Sequence, residues 1–294
     1  MGKKPALQPS AAIGPAVRAI GSHILATART TMLDPERSNQ EAVHHFRRAM
    51  KEWRALMRLM EPFIPDAPRW RNDARGHARS LGHARDGAAA LNAFDTLLER
   101  GMVLSETSIA SIRGRIEALR GNEEAAVLTP ALRDAIVAWI DTAAAAIEFW
   151  PLDPFDFSSI AGQLANSYRR ARNCIPGDWS LSHAEELHSL RQRVVDLRYQ
   201  MDLVEPLWPR FGKMWTGEAE KLRGRLGQCQ DLEVLRRLAG LHQPLAHWRS
   251  KLAPAADERS DELAQRAARI AVRLFAEKPK AFRHRLEMLW DNAR

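Results

Sequence analysis

The 294-residue chain has only two cysteines and two tyrosines, and no stretch in which β-branched residues alternate regularly with polar ones. Cys174 and Cys229 stand far apart, and neither has a partner cluster. That excludes a disulfide framework and a cysteine-based zinc motif, and makes a reducing, intracellular compartment the expectation. Each cysteine reads as a small buried apolar residue. The missing alternation, with no Asn-Gly or Asp-Gly turns to close it, excludes a sheet-based fold. No run approaches twenty consecutive apolar residues, so no membrane span is expected. The opening MGKKPALQPSAAIGPAVRAIGSHILATA imitates a secretory leader, but Pro9, Pro15, Arg18 and His23 interrupt its apolar centre. Residue 6 is Ala, which excludes a myristoylation pattern. The reading is a cytoplasmic protein whose residues 1–12 form a loose start.

Chemistry-bearing patterns are also scarce. A Gly-rich phosphate loop, a nucleophile elbow and a metal-coordinating acid cluster are all absent from the sequence. His44, His45, His77 and His83 lack the spacing of a metal-binding helix. Asp86 and Asp231 could act as catalytic acids, yet they read better as helix caps or as anchors for basic residues. No catalytic residue, metal site or cofactor is assigned.

What the chain does have is helix formers and positive charge. Lysine and arginine number 44 against 36 acids, a formal charge of +8. Such a polycation favours polyanionic partners: nucleic acid, an acidic membrane or polyphosphate. Helical periodicity, broken by Pro, Gly and Asp, predicts an all-α chain. The helices are expected near 10–31, 38–60, 66–100, 105–120, 129–149, 157–174, 180–205, 212–240, 256–277 and 279–292.

The second of these carries two interleaved rows. Phe46, Met50, Trp53, Met57 and Met60 recur at steps of four and three, the seam of a helix facing a partner. One position over run His44, Arg47, Lys51, Arg54 and Arg58, a basic row about 20 Å long at 1.5 Å rise per residue. Like charges at these spacings cost a few tenths of a kcal/mol per pair, so the row asks for a ligand. The next helix adds Arg71, Arg75 and Arg79 at i,i+4 spacing and is expected to return antiparallel, making a basic groove. Solvated helix faces, with arginine stems over apolar seams, are the plain alternative.

Repetition weighs against that alternative. VHHFRRAMKEWRALMRLMEPFIP aligns with LHSLRQRVVDLRYQMDLVEPLWP, setting His44 over His188, Arg47 over Arg191 and Arg54 over Arg198. LGHARD at 81–86 then falls over LGQCQD at 226–231. A period near half the chain is too long for a solenoid. It predicts a duplicated helical bundle of two pseudo-symmetric halves, about 13–150 and 155–294, in a single domain spanning 13–294. Arg169, Arg170 and Arg172 in YRRARN precede the second basic row, and Arg193, Lys213, Lys221 and Arg225 lie in or after it. Trp53 and Trp70 read as core residues rather than base-stacking platforms. A bare phosphate chain therefore fits the rows better than nucleic acid, which stays as the rival partner. A phosphatase is the enzymatic rival.

VHHFRRAMKEWRALMRL with its later LGHARD, LANSYRRARN, and LHSLRQRVVDLRYQMDLVEP with its later LGQCQDLEVL resemble the CHAD domain, the conserved histidine α-helical domain. The resemblance spans about residues 15–290. It implies two pseudo-symmetric helical bundles around a basic channel that binds inorganic polyphosphate, with association to polyphosphate granules. The contacts it implies are His44, Arg47, Lys51, Arg54, His188, Arg191 and Arg198; the basic rows read from spacing add Arg58, Arg75, Arg79, Arg169 and Arg172 as candidate phosphate contacts. Val195 stands where that pattern has a base, and Gln230 stands opposite Arg85, so the second half is expected to contribute less. The Glu-x-Glu-x-Lys strand of the triphosphatase domain attached to some relatives is missing, which implies a free-standing binding module.

Overall fold

Local capping chemistry sets several of the helix starts. Ser38 opens one helix with a capping box: its hydroxyl accepts from Glu41 N–H while the Glu41 carboxylate accepts from Ser38 N–H at 3.1 Å. Thr129 and Asp156 cap two others by accepting from backbone N–H groups three residues on, and Pro130, Pro209 and Pro279 occupy first-turn positions where an N–H would find no intrahelical acceptor. The computed structural model describes residues 5–81, 86–124, 128–152, 155–179 and 184–293.

Within them the regular structure is helical: α1 (Ile13–Leu33), α2 (Asn39–Met60), α3 (Ala67–Ser80), α4 (Asp86–Glu99), α5 (Glu106–Glu124), α6 (Pro130–Ile147), α7 (Phe157–Arg172), α8 (Ala184–Asp202), α9 (Pro209–Leu238), α10 (Arg249–Leu274) and α11 (Pro279–Asn292). Two single 3₁₀ turns precede α9 and α10. Among the described residues no helix is long and apolar enough to cross a membrane.

Three expectations are corrected. The single helix foreseen over 66–100 is two, α3 and α4. α10 begins at Arg249, not after Pro254; that proline sits in the second turn, where its missing N–H forfeits one early bond. The start of the chain is anchored rather than loose at Leu7, which is fully buried and whose N–H donates to Leu203 O at 2.8 Å.

The apolar seam of α2 is core, as its spacing predicts: Phe46, Met50, Trp53, Met57 and Met60 are all buried. Trp53 packs on Trp150 with ring centroids 5.9 Å apart. In the first half α1 packs on α2 and α6, α2 on α3, and α4 on α5. In the second, α7 packs on α8 and α11, α8 on α9, and α9 on α10. The halves meet where α2 crosses α8 and α4 lies on α9. At the first crossing the buried Gln200 Nε2 donates to Ala55 O at 2.9 Å, fixing the depth at which the two basic helices approach.

Candidate functional site

Packing the α2 seam inward leaves the basic row on the flank that faces α3. Arg47, Arg54 and Arg58 are half-buried there, and His44 and Lys51 are exposed. Arg54 Nε is buried with no hydrogen-bond partner among the described residues. Burial first, and then Arg75, Arg71 and Arg79, push the Arg54 guanidinium below its ordinary pKa, while Asp196 acts in the opposite sense. Arg58 is similarly lowered by burial and by Arg193 and Arg71, against the pull of Asp196 and Glu61. The structure thus brings together cations from α2, α3 and α8.

Asp196, on α8, is the acid at the centre of this set. Its Oδ2 lies 2.8 Å from Arg58 Nε, and the residue is only 9% exposed. Burial raises its carboxyl above the ordinary value, although Arg58, Arg54, Arg193 and Arg71 all act to lower it. Arg71 is itself paired with Glu61. Arg54 thus faces Arg71, Arg75 and Arg79 against Asp196, and Arg58 faces Arg193 and Arg71 against Asp196 and Glu61.

The second basic row meets a different environment, because the α8 face that carries it packs on α9. Arg198 Nε is 3.1 Å from Glu220 Oε2, and its guanidinium lies 4.9 Å from the Tyr199 ring centroid. Arg223 Nε also donates to both Glu220 oxygens, at 3.0 Å each, and holds that carboxyl below its ordinary range despite burial. Arg191 lies along α9 where Gly227 leaves room; a methyl at Gly227 would sit 3.4 Å from Arg191 Nε. His188 Nε2 rests against the Gln192 side-chain amide. Arg198 and Arg223 thus share one internal carboxylate, and Arg198 Nε, like Arg54 Nε, makes no hydrogen bond among the described residues.

The family model for the CHAD domain matches residues 16–240. The chain belongs to the CHAD domain family. The crystal structure of the CHAD domain from the plant Ricinus communis is similar over 96% of this chain and 95% of that one, with a TM-score of 0.60 and 21% identity. At that identity the likeness is one of fold. No curated protein matches the chain significantly.

Other residues singled out in this CHAD domain have separate places. Arg172 Nε donates to Phe275 O at 3.1 Å, closing the C-terminal end of α10, and Arg169 is exposed one turn earlier. His44 is exposed, its ring 5.5 Å from that of His45. Asp86 pairs with Arg237, which ties α4 to α9. Cys229 is buried, its thiol pushed up to about 11 by burial, and its Sγ donates to Ser260 O at 3.7 Å. Trp53 and Trp70 are core. Among the described residues no three His, Cys, Asp or Glu side chains are grouped to hold a metal ion. Gly82, His83, Ala84 and Arg85 of LGHARD lie outside the described residues. Sequence reading missed Asp196 and Glu220. Asp196 stands in the repeat where α2 has Glu52, but its apolar neighbours Val194 and Leu197 mark it as the acid drawn inward.

Proposed function

We propose that this CHAD domain binds inorganic polyphosphate non-covalently along the face shared by α2 and α3, with Arg193 of α8 closing one side. The observation that carries the reading is Arg54. A cation that is half-buried, crowded by three other arginines and left with a bare buried Nε among the described residues gains most from an anion brought to it. Phosphate oxygens match the arginine fork and accept charge-assisted hydrogen bonds. A linear phosphate chain would meet Arg47, Lys51, Arg54 and Arg58 in turn, with Arg75 and Arg79 opposite. The buried positions of Trp53 and Trp70 leave this row without the aromatic platforms that single-stranded nucleic acid uses.

The matching helix pairings of the two halves, and the register of their basic rows, support descent from a duplicated bundle. We read the α2–α8 crossing as the floor of a basic channel that the first half lines more strongly than the second. A binding module of this kind would bring the protein to cytoplasmic polyphosphate granules.

Calorimetric titration with polyphosphates of defined length tests the reading. Affinity should rise with chain length until the row is filled and fall steeply with salt, by analogy with other polyanions. Arg54→Ala should weaken binding about tenfold to a hundredfold, the range for losing one charged hydrogen-bonding partner. Binding indifferent to length, or unchanged after Arg47, Lys51 and Arg54 are all made Ala, rules the groove out. Tighter binding of single-stranded RNA or DNA at matched salt would favour the nucleic-acid reading. Phosphate release with added Mg²⁺ or Mn²⁺ would favour an enzyme.

A further inference from the structure

The basic face already holds one anion of its own. Asp196 enters it from α8, its carboxylate oxygen 2.8 Å from Arg58 Nε, with Arg54, Arg71 and Arg193 around it. Despite that short separation, Arg58 Nε makes no hydrogen bond among the described residues. The pair is held by charge without the alignment that would make it hard to break. Buried ion pairs of this sort contribute little net stability, because desolvation offsets most of the attraction. Beyond offsetting the repulsion among the arginines, a carboxylate at this point adds little to the fold.

We propose that Asp196 is a built-in counter-charge that competes with phosphate for Arg58 and Arg54, so that it sets the affinity of the site and couples binding to a proton. In the empty protein it holds the arginines together against their mutual repulsion. When a phosphate chain arrives, its oxygens take over Arg58 and Arg54, and the carboxylate is left beside a second anion. Like charges at that distance favour protonation, so binding draws a proton onto Asp196. Conversely, acidification discharges the competitor and strengthens binding. The charged groups facing Asp196 are Arg58 and Arg54 from α2, Arg71 from α3 and Arg193 on its own helix; none of these loses its charge in the working range. The inference rests on the polyphosphate reading and concerns that same face.

The test compares wild type with Asp196→Asn in titrations with a defined polyphosphate, between about pH 8 and about pH 5. Asp196→Asn should bind several-fold more tightly at the higher pH, and the gap should narrow as pH falls. Every other titratable group is common to both proteins, so the difference belongs to Asp196. Equal affinity and equal pH profiles, or weaker binding by a folded Asp196→Asn protein, overturn the proposal while leaving the polyphosphate reading intact. If neither protein binds polyphosphate at low salt, the reading itself falls, and the proposal with it. A second measurement does not depend on the folding of that variant. Calorimetry of the His44→Asn, His188→Asn protein in buffers of different ionisation enthalpy should still register proton uptake on binding toward acid pH. Its absence would overturn the counter-charge.

Discussion

Trp53 and Arg54 are adjacent in sequence and have opposite surroundings. A hundred degrees of helical rotation puts the indole in the core, wholly buried, and the guanidinium among other cations. Trp53→Ala should cost about 3–5 kcal/mol, a core-cavity loss, whereas Arg54→Ala should leave stability nearly unchanged while weakening ligand binding; urea denaturation of the two variants checks the contrast. Close packing is just as local at Gly14, where an added Cβ would lie 2.6 Å from Leu152 O. Gly14→Ala should therefore destabilise by about 1–3 kcal/mol as α1 is forced off the backbone beneath it, read from the same denaturation curves. Two acids act oppositely on stability with pH. Glu220, held below its ordinary 4.5 first by the Arg223 hydrogen bond, stabilises the fold above that value, and the contribution is lost as pH falls through its lowered folded value. Asp196, raised by burial, is least costly below its ordinary 3.8, and its cost develops as pH climbs toward its raised folded value. In melting-temperature series, Glu220→Gln should flatten the acid-side decline.

At the scale of the helix, α2 is where sequence and structure agree most closely. Its seam, its cap and its basic row all depend on residues within four positions of one another, so periodicity alone reveals them. Ser38→Ala removes one half of the capping box and should cost about 0.5–2 kcal/mol, measurable by thermal melting. Elsewhere local signals were insufficient. α3 ends at Ser80, with Leu81 as its cap and no proline beside it to mark the stop, and α10 starts ahead of Pro254, which reads as a stop. The inward turn of Asp196 depends on the α2–α8 crossing, set by Gln200 and Ala55 from opposite halves, and no single helix encodes it. The same holds for Glu220, which meets Arg198 only because α9 returns along α8.

Across the whole molecule the positive charge is unevenly compensated. The α2–α3 face sets Arg54 and Arg58 among further arginines, whereas on the α8–α9 face Arg198 and Arg223 share Glu220. Arg54→Ala should therefore weaken polyphosphate binding more than Arg198→Ala, by several-fold in paired titrations, although the repeat makes them equivalent positions.

The buried Leu7, bonded to Leu203, carries a practical consequence. Residues 16–240 are what the family pattern recognises, but a protein trimmed to that span would forfeit this stitch between the chain's beginning and its second half. It would also lose α10 and α11, baring the flanks of α9 and α7 on which they lie. A fragment cut to residues 16–240 should therefore melt well below the full 294-residue chain.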